Sequence, residues 1–255
     1  MFVHNIDPVL FSIGPISIYY YGLVYVLGFV GLYFLLRRVG NFSEQETDSL
    51  LLYLIAGMFL GARSFFFLFY HPDHFSVMEF FAVWKGGMSF HGGFLGLTIA
   101  VFVWAKRNNH DPWRIADLGA LIAGSFLFLG RIANFINAEI VGTLSNASWC
   151  VQFPYDEGCR HPVQLYAAVK NALIQSLVYF VYRSGSYASG FIFWVFALLY
   201  GVLRFIVNFY RDDPILALGW LKMGQVLSLV LVVVSLWALF SWYRDDLSKL
   251  FKKNS

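Results

Sequence analysis

The stretch ISIYYYGLVYVLGFVGLYFLL, Ile16–Leu36, carries no charge and is closed by Arg37-Arg38. A helix rises about 1.5 Å per residue and bilayer hydrocarbon is about 30 Å thick, so roughly 20 apolar residues cross it. This run is too long for a secretory signal's apolar segment. It also has no basic leader and no small-residue cleavage pattern, so it reads as a retained span.

The rest of the chain repeats the pattern. Gly86–Ala105, Ser184–Leu203 (starting nearer Tyr187) and Met223–Tyr243 are further uncharged runs. Ser49–Tyr70 and Pro162–Tyr182 qualify around one embedded charge each, Arg63 and Lys170, and Ile115–Ile136 qualifies around Arg131, with Asp117 near its start. The expectation is an all-α polytopic membrane protein, seven spans in a single domain over residues 1–255. Composition agrees. Of 255 residues 59% are hydrophobic and 13% charged, against about 25% charged in soluble domains, and mean hydropathy is +0.63. A soluble enzyme and a disordered chain are excluded. A net charge of +3 is too small for a polyphosphate partner, so no nucleic acid is expected. Phe75–Met88 is amphipathic and Trp-bearing, which predicts an interfacial arm before the third span.

Orientation follows from the basic residues. With the N-terminus outside, Arg37, Arg38, Lys106, Arg107, Arg114, Arg183, Arg244, Lys249, Lys252 and Lys253 face inward. Only Lys85, Arg160, Arg211 and Lys222 lie outside. The C-terminus is then inside, where its basic tail meets anionic membrane lipids. Two cysteines exclude a disulfide scaffold and a multi-cysteine metal site. Both, Cys150 and Cys159, fall in the outer loop from Gly142 to His161, where a local disulfide and two unpaired thiols are both open readings.

An ionisable side chain at mid-bilayer costs about 2.5–3.5 kcal/mol on the insertion scale. Arg63, about 10 Å deep at helical rise, His91 at the start of the third span, Arg131 with Asn134, Tyr200 with Arg204, and Tyr21 all fall in the outer leaflet. Two arginine forks facing one cavity make a phosphate clamp, and a lipid headgroup is the phosphate at hand. Structural readings stand beside this one: Arg63 as a packing cation held by backbone carbonyls, and Arg131 with Asn134 snorkelling to the interface. Gly92 and Gly96 form a small-xxx-small face for close helix approach. His91, beside flexible glycines, can titrate near neutrality as a general base. Ser89 and His91 are two residues apart and do not face each other on a helix, which argues against a Ser/His dyad. No hydrolase elbow, zinc-helix or P-loop motif occurs. His71-Pro72-Asp73-His74 reads as loop punctuation, so neither metal nor cofactor is expected.

Seven blocks in order carry a resemblance. They are Asp7-Pro8 with Gly14-Pro15 and Tyr21-Gly22-Leu23; Gly61-Ala62-Arg63; Gly86-Gly87-Met88-Ser89-Phe90-His91-Gly92-Gly93; and Gly130-Arg131-Ile132-Ala133-Asn134-Phe135-Ile136-Asn137-Ala138-Glu139-Ile140-Val141-Gly142. Then come Arg160-His161-Pro162-Val163-Gln164-Leu165-Tyr166; Tyr200-Gly201 with Arg204-Phe205 and Arg211; and Met223-Gly224-Gln225. End to end, the chain resembles the bacterial prolipoprotein diacylglyceryl transferases. The resemblance implies an inner-membrane enzyme active toward the outer leaflet. It would move diacylglyceryl from phosphatidylglycerol to the lipobox cysteine thiol of secreted preprolipoproteins, releasing glycerol phosphate. It implies phospholipid binding at Arg131 and a functional Arg204, and implicates His91, Tyr21, Tyr200, Asn134, Glu139 and Gly142 in activity. With Arg63 and Asn137, these are the candidate site residues: His91, Arg131 and Arg204 for catalysis, the others with the two arginines for substrate.

The chain also departs from that family. A glutamate is usual after Gln164-Leu165-Tyr166, and Ala167 stands here; another is usual four residues after Arg204, and Asn208 stands here. At best Asn208 offers Arg204 a neutral hydrogen bond in place of an ion pair. The usual Asn-Gly-Glu reads Asn137-Ala138-Glu139. The lost carboxylates keep two alternatives in view: an altered paralogue acting as a phospholipid- or preprotein-binding module, and a lipid transporter. A transporter more often shows paired repeats and midplane polar sites, which this sequence lacks.

Overall fold

A computed structural model describes residues 1–14, 16–72, 76–82, 86–217 and 219–252. Long helices fall on each of the apolar runs: α1 (Tyr20–Arg38), α2 (Glu44–Phe69), α4 (Phe90–Asn108), α5 (Pro112–Ile136), α6 (Val163–Ser184), α7 (Phe191–Val207) and α8 (Met223–Trp242). Five candidate spans are long and apolar enough to cross a membrane: the helices α1, α2, α5 and α8, and α7 taken through Tyr210. The molecule is a mostly helical, multi-pass membrane protein. A short α3 (Val77–Phe81) precedes α4, and α9 (Arg244–Lys252) follows α8.

Several boundaries differ from the sequence reading. The first run does not begin as helix: Ile16–Tyr19 is strand β3, paired antiparallel with β2 (Val9–Ile13). Alternating branched and aromatic residues suit a hairpin edge. Residues 86–89 are not helical either. Gly86 and Gly87 have φ of 78° and 79°, a left-handed conformation that favours glycine. Ser89 then caps α4, its hydroxyl accepting from Gly92 N–H. Of the expected interfacial arm, α3 is described, with Val77 and Met78 exposed; Phe75, Trp84 and Lys85 lie outside the described residues, as do Asp73 and His74.

The chain divides into two compact units. One spans Tyr33–Leu118 and is organised by α2 against α4. Ser43 and Glu46 form a reciprocal capping box at the start of α2. Along the contact, Gly57 and Gly61 meet Gly92 and Gly96 so closely that a Cβ on Gly61 would lie 2.9 Å from the Gly96 Cα. The small-xxx-small face is therefore a backbone-to-backbone seam.

The other unit comprises Met1–Leu32 with Gly119–Ser255. In it α7 packs on α6 and α8, Gly28 of α1 receives Phe126, and Gly31 receives Ile122. Strand β1 (Phe2–Val3) runs parallel to β4 (Val151–Gln152), which pairs antiparallel with β5 (Cys159–Arg160). A 3-10 turn, Asn208–Tyr210, and the hairpin β6 (Ile215–Ala217)–β7 (Leu221–Lys222) lead into α8.

Of the two cysteine readings the structure takes the disulfide. Cys150 and Cys159 are bonded with Cα atoms 5.5 Å apart, nine residues apart in sequence. Loop-closure entropy for so short a loop gives roughly 2.5 kcal/mol. Replacing both cysteines by alanine should lower the stability of the detergent-solubilised protein by about that amount. An unchanged thermal midpoint would show that the β4–β5 pairing holds the loop unaided.

Candidate active site

The site is built from three helix ends and the loops that leave them. α5 stops at Ile136 in a turn through Asn137, Ala138 and Glu139, where Glu139 N–H donates to the Asn134 carbonyl at 2.9 Å. Ala138 takes a φ of 54°. Holding a non-glycine residue there costs about 1 kcal/mol, so the alanine in place of glycine is felt at this turn. The turn folds Glu139 back: its carboxylate accepts from Asn134 Nδ2 and Asn137 Nδ2, both at 3.1 Å. Asn134 Oδ1 in turn accepts from Arg131 Nη1 at 3.1 Å. Gln164 of α6 donates to the Glu139 carbonyl at 2.6 Å. One contiguous block of sequence thus becomes a hydrogen-bonded frame that holds Arg131.

α6 contributes Gln164, Ala167 and Lys170, three residues apart and on one face. α7 contributes Tyr200, Arg204 and Val207, and the 3-10 turn contributes Asn208. Arg204 Nη1 donates to the Tyr200 hydroxyl at 2.9 Å, and the Lys170 ammonium lies 4.0 Å from the centre of the Tyr200 ring. Arg131, Gln164, Ala167, Lys170, Arg204, Asn208 and Arg211 line one cavity of about 20 Å³ with Ile140, Val163 and Val207. Four of these residues are cations and none is a carboxylate. Arg211 is paired outward with Asp213 at 2.9 Å.

The sequence-predicted residues fall into three groups. Arg131 and Arg204 meet at this cavity, and Asn134, Asn137, Glu139 and Tyr200 hold them. Gly142 and Tyr21 belong to the same unit in other roles. Gly142 lets the chain pass between His161 and Tyr210, since a Cβ there would lie 2.8 Å from the Tyr210 carbonyl oxygen. Tyr21 is partly exposed on α1, its ring 5.6 Å from that of Tyr25. Arg63 and His91 belong to the unit Tyr33–Leu118. Arg63 is 2% exposed. It donates to the carbonyls of Phe80 (2.8 Å), Gly86 (2.6 Å), Gly87 (2.8 Å) and Glu79. Four of its five N–H groups are thereby committed to backbone, which is the geometry of the packing-cation reading. His91 is exposed in the first turn of α4, its ring 6.4 Å from that of Phe65.

The side-chain bond expected between Arg204 and Asn208 is not formed. Arg204 takes the Tyr200 hydroxyl, and Asn208 is buried with its Nδ2 lacking an acceptor. Two of the four lining cations lie outside the sequence-predicted set. The sequence reading names Lys170 only as the embedded charge of its span; its place three residues after Ala167 and six after Gln164 is the available signal. Arg211 was counted as a topology charge.

These features define a class: a multi-pass helical membrane protein with a cavity lined by cationic side chains. Residues 8–241 match the family model described as prolipoprotein diacylglyceryl transferase. The chain belongs to this family. It is 40% identical over 254 residues to the phosphatidylglycerol–prolipoprotein diacylglyceryl transferase of Solidesulfovibrio magneticus, covering 94% of this chain and 96% of the relative. Relatives of the same name from Nitratidesulfovibrio vulgaris (39%; 92% and 94% covered) and Allorhizobium ampelinum (39%; 92% and 90%) are similarly close.

Proposed function

We propose that this protein transfers diacylglyceryl from phosphatidylglycerol to the lipobox cysteine thiol of secreted preprolipoproteins, forming a thioether and releasing glycerol phosphate. The observation that carries the reading is the cavity lined by Arg131 and Arg204 without a carboxylate. Guanidinium forks match phosphate oxygens, and in a water-poor site they stabilise charge that develops as the phosphate leaves. Asn134, Asn137, Glu139 and Tyr200 position the two arginines, Gly142 shapes the loop beside them, and Tyr21 contacts the lipid. Arg63 acts by holding the Gly86–Gly87 segment that leads to His91.

The frame for this chemistry is a single integral domain in the bacterial inner membrane. It has seven spans, the N-terminus outside and the C-terminus inside, with the active site open to the outer leaflet and its lipids. Support comes from the placement of the long helices on the apolar runs and from the inward bias of lysine and arginine.

Thiol alkylation needs the thiolate, so a base must take the proton, and His91 is assigned that role. The test is purified protein with phosphatidylglycerol and a lipobox peptide. Glycerol phosphate release together with a peptide mass gain of one diacylglyceryl is expected; lipid binding without either product would sink the reading. In the same assay His91→Gln should slow turnover by about 100-fold, the scale of a lost general base. Full turnover in that variant removes His91 from the mechanism.

A further inference from the structure

The proposed reaction changes the charge on the phosphate. The thiolate sulfur bonds to the lipid glycerol carbon that carries the phosphate, that carbon–oxygen bond breaks, and its electron pair stays on the phosphate oxygen. The thiol proton has gone to the base. A phosphodiester with one negative charge becomes a phosphomonoester carrying about −1.5 to −2 at neutral pH. The cavity therefore has to hold more negative charge after the bond breaks than before.

With Arg211 paired to Asp213, it holds one further cation beyond the two-arginine clamp. Lys170 lines the same cavity, is 6% exposed, and rests on the Tyr200 ring with no hydrogen bond from its ammonium among the described residues. It shares that lining with Arg131 and Arg204, and no carboxylate is among the lining residues. A second observation stands beside it: Asn208, 1% exposed, also lines the cavity, and its Nδ2, packed against Gly224, has no acceptor among the described residues. An ammonium and an amide donor left unpartnered beside two arginines make a site for an anion with more than one charge.

We propose that Lys170 is a further catalytic residue: its ammonium, with Asn208, binds the leaving glycerol phosphate as it gains its second negative charge. This rests on the transferase reading above. Because the contact strengthens only as the bond breaks, it raises kcat rather than tightening lipid binding. The same contact makes the cavity selective for a phosphomonoester over a phosphodiester.

Lys170→Met preserves the buried volume and removes the charge. In the phosphatidylglycerol and lipobox-peptide assay it should lower kcat about 100-fold, with KM for the lipid within about threefold of wild type. Lys170→Arg should recover most of that loss. By calorimetry, wild-type protein should bind glycerol phosphate about tenfold tighter than its methyl phosphodiester, and Lys170→Met should bind both alike. The assignment is overturned by full kcat in Lys170→Met, by a matched loss of lipid binding, by an arginine variant as slow as the methionine one, or by an unchanged monoester preference. A wild-type protein that releases no glycerol phosphate overturns the transferase reading instead, and the monoester preference alone then decides Lys170.

Discussion

Replacing Arg131 with glutamine should lower kcat/KM for phosphatidylglycerol about 1,000-fold, corresponding to about 4 kcal/mol of transition-state stabilisation. Three features set the size of the effect. Arg131 faces a cavity with no carboxylate, so its charge is available to substrate. Its Nη1 is fixed by Asn134, which Glu139 fixes in turn, so the guanidinium is aimed before the lipid arrives. Glutamine can still bond to Asn134, so the frame should survive while the charge and the fork are lost. Arg131→Lys restores charge without the planar fork and should fall between the two. In the proposed reaction Arg131 and Arg204 act on one phosphate, so removing both should cost less than the product of the single losses. The measurement is steady-state glycerol phosphate release at varied lipid; an Arg131→Gln enzyme within threefold of wild type would remove Arg131 from phosphate binding.

Gly96→Val should produce the largest loss of stability. A Cβ at Gly96 would collide with the Gly57 carbonyl group and lie 3.1 Å from the Gly61 Cα. Backbone has no rotamer with which to retreat, so α2 and α4 must separate along the seam. Overpacking of this kind costs about 3 kcal/mol, which for a chain of this size lowers the thermal midpoint by roughly 6–12 °C. Separation also disturbs Ser89 N–H, which donates to the Ala62 carbonyl at 3.1 Å, and with it the start of the helix that carries His91. Gly119→Ala is the control. Nothing lies within 4 Å of a Cβ there, and alanine favours helix over glycine by about 1 kcal/mol. Thermal unfolding in detergent checks both; a Gly96→Val midpoint equal to wild type would mean that the seam is not closed.

How much was legible in the sequence depended on the range of the interaction. The hydrophobic runs are local, and the cost of exposing backbone polar groups to hydrocarbon forces each into a helix; their placement was readable almost to the turn. Of the frame from Arg131 to Glu139, only the one-turn spacing of Arg131 and Asn134 was readable locally; Glu139 entered through the resemblance, and its return to Asn134, five residues back, depends on the turn at Ala138. The hairpin at Ile16–Tyr19 was missed because apolar length alone does not separate a strand from a helix start. The start of α4 was displaced from Gly86 to Phe90 because two glycines adopt a left-handed backbone that hydropathy does not register.

The sequence by itself determined that this is a helical membrane protein and that a few polar residues on different helices call for a shared function. Only the tertiary structure decided which of them share a cavity. Arg63, as conspicuous in the sequence as Arg131, has its guanidinium taken up by backbone carbonyls 16 to 24 residues away. Lys170 turns out to face Arg131 and Arg204. The physical reason is that helices apolar nearly all round carry no pattern that fixes their rotation. Which face of α6 meets α7 is set by close packing between side chains distant in sequence, and that packing turns an embedded lysine into a cavity lining.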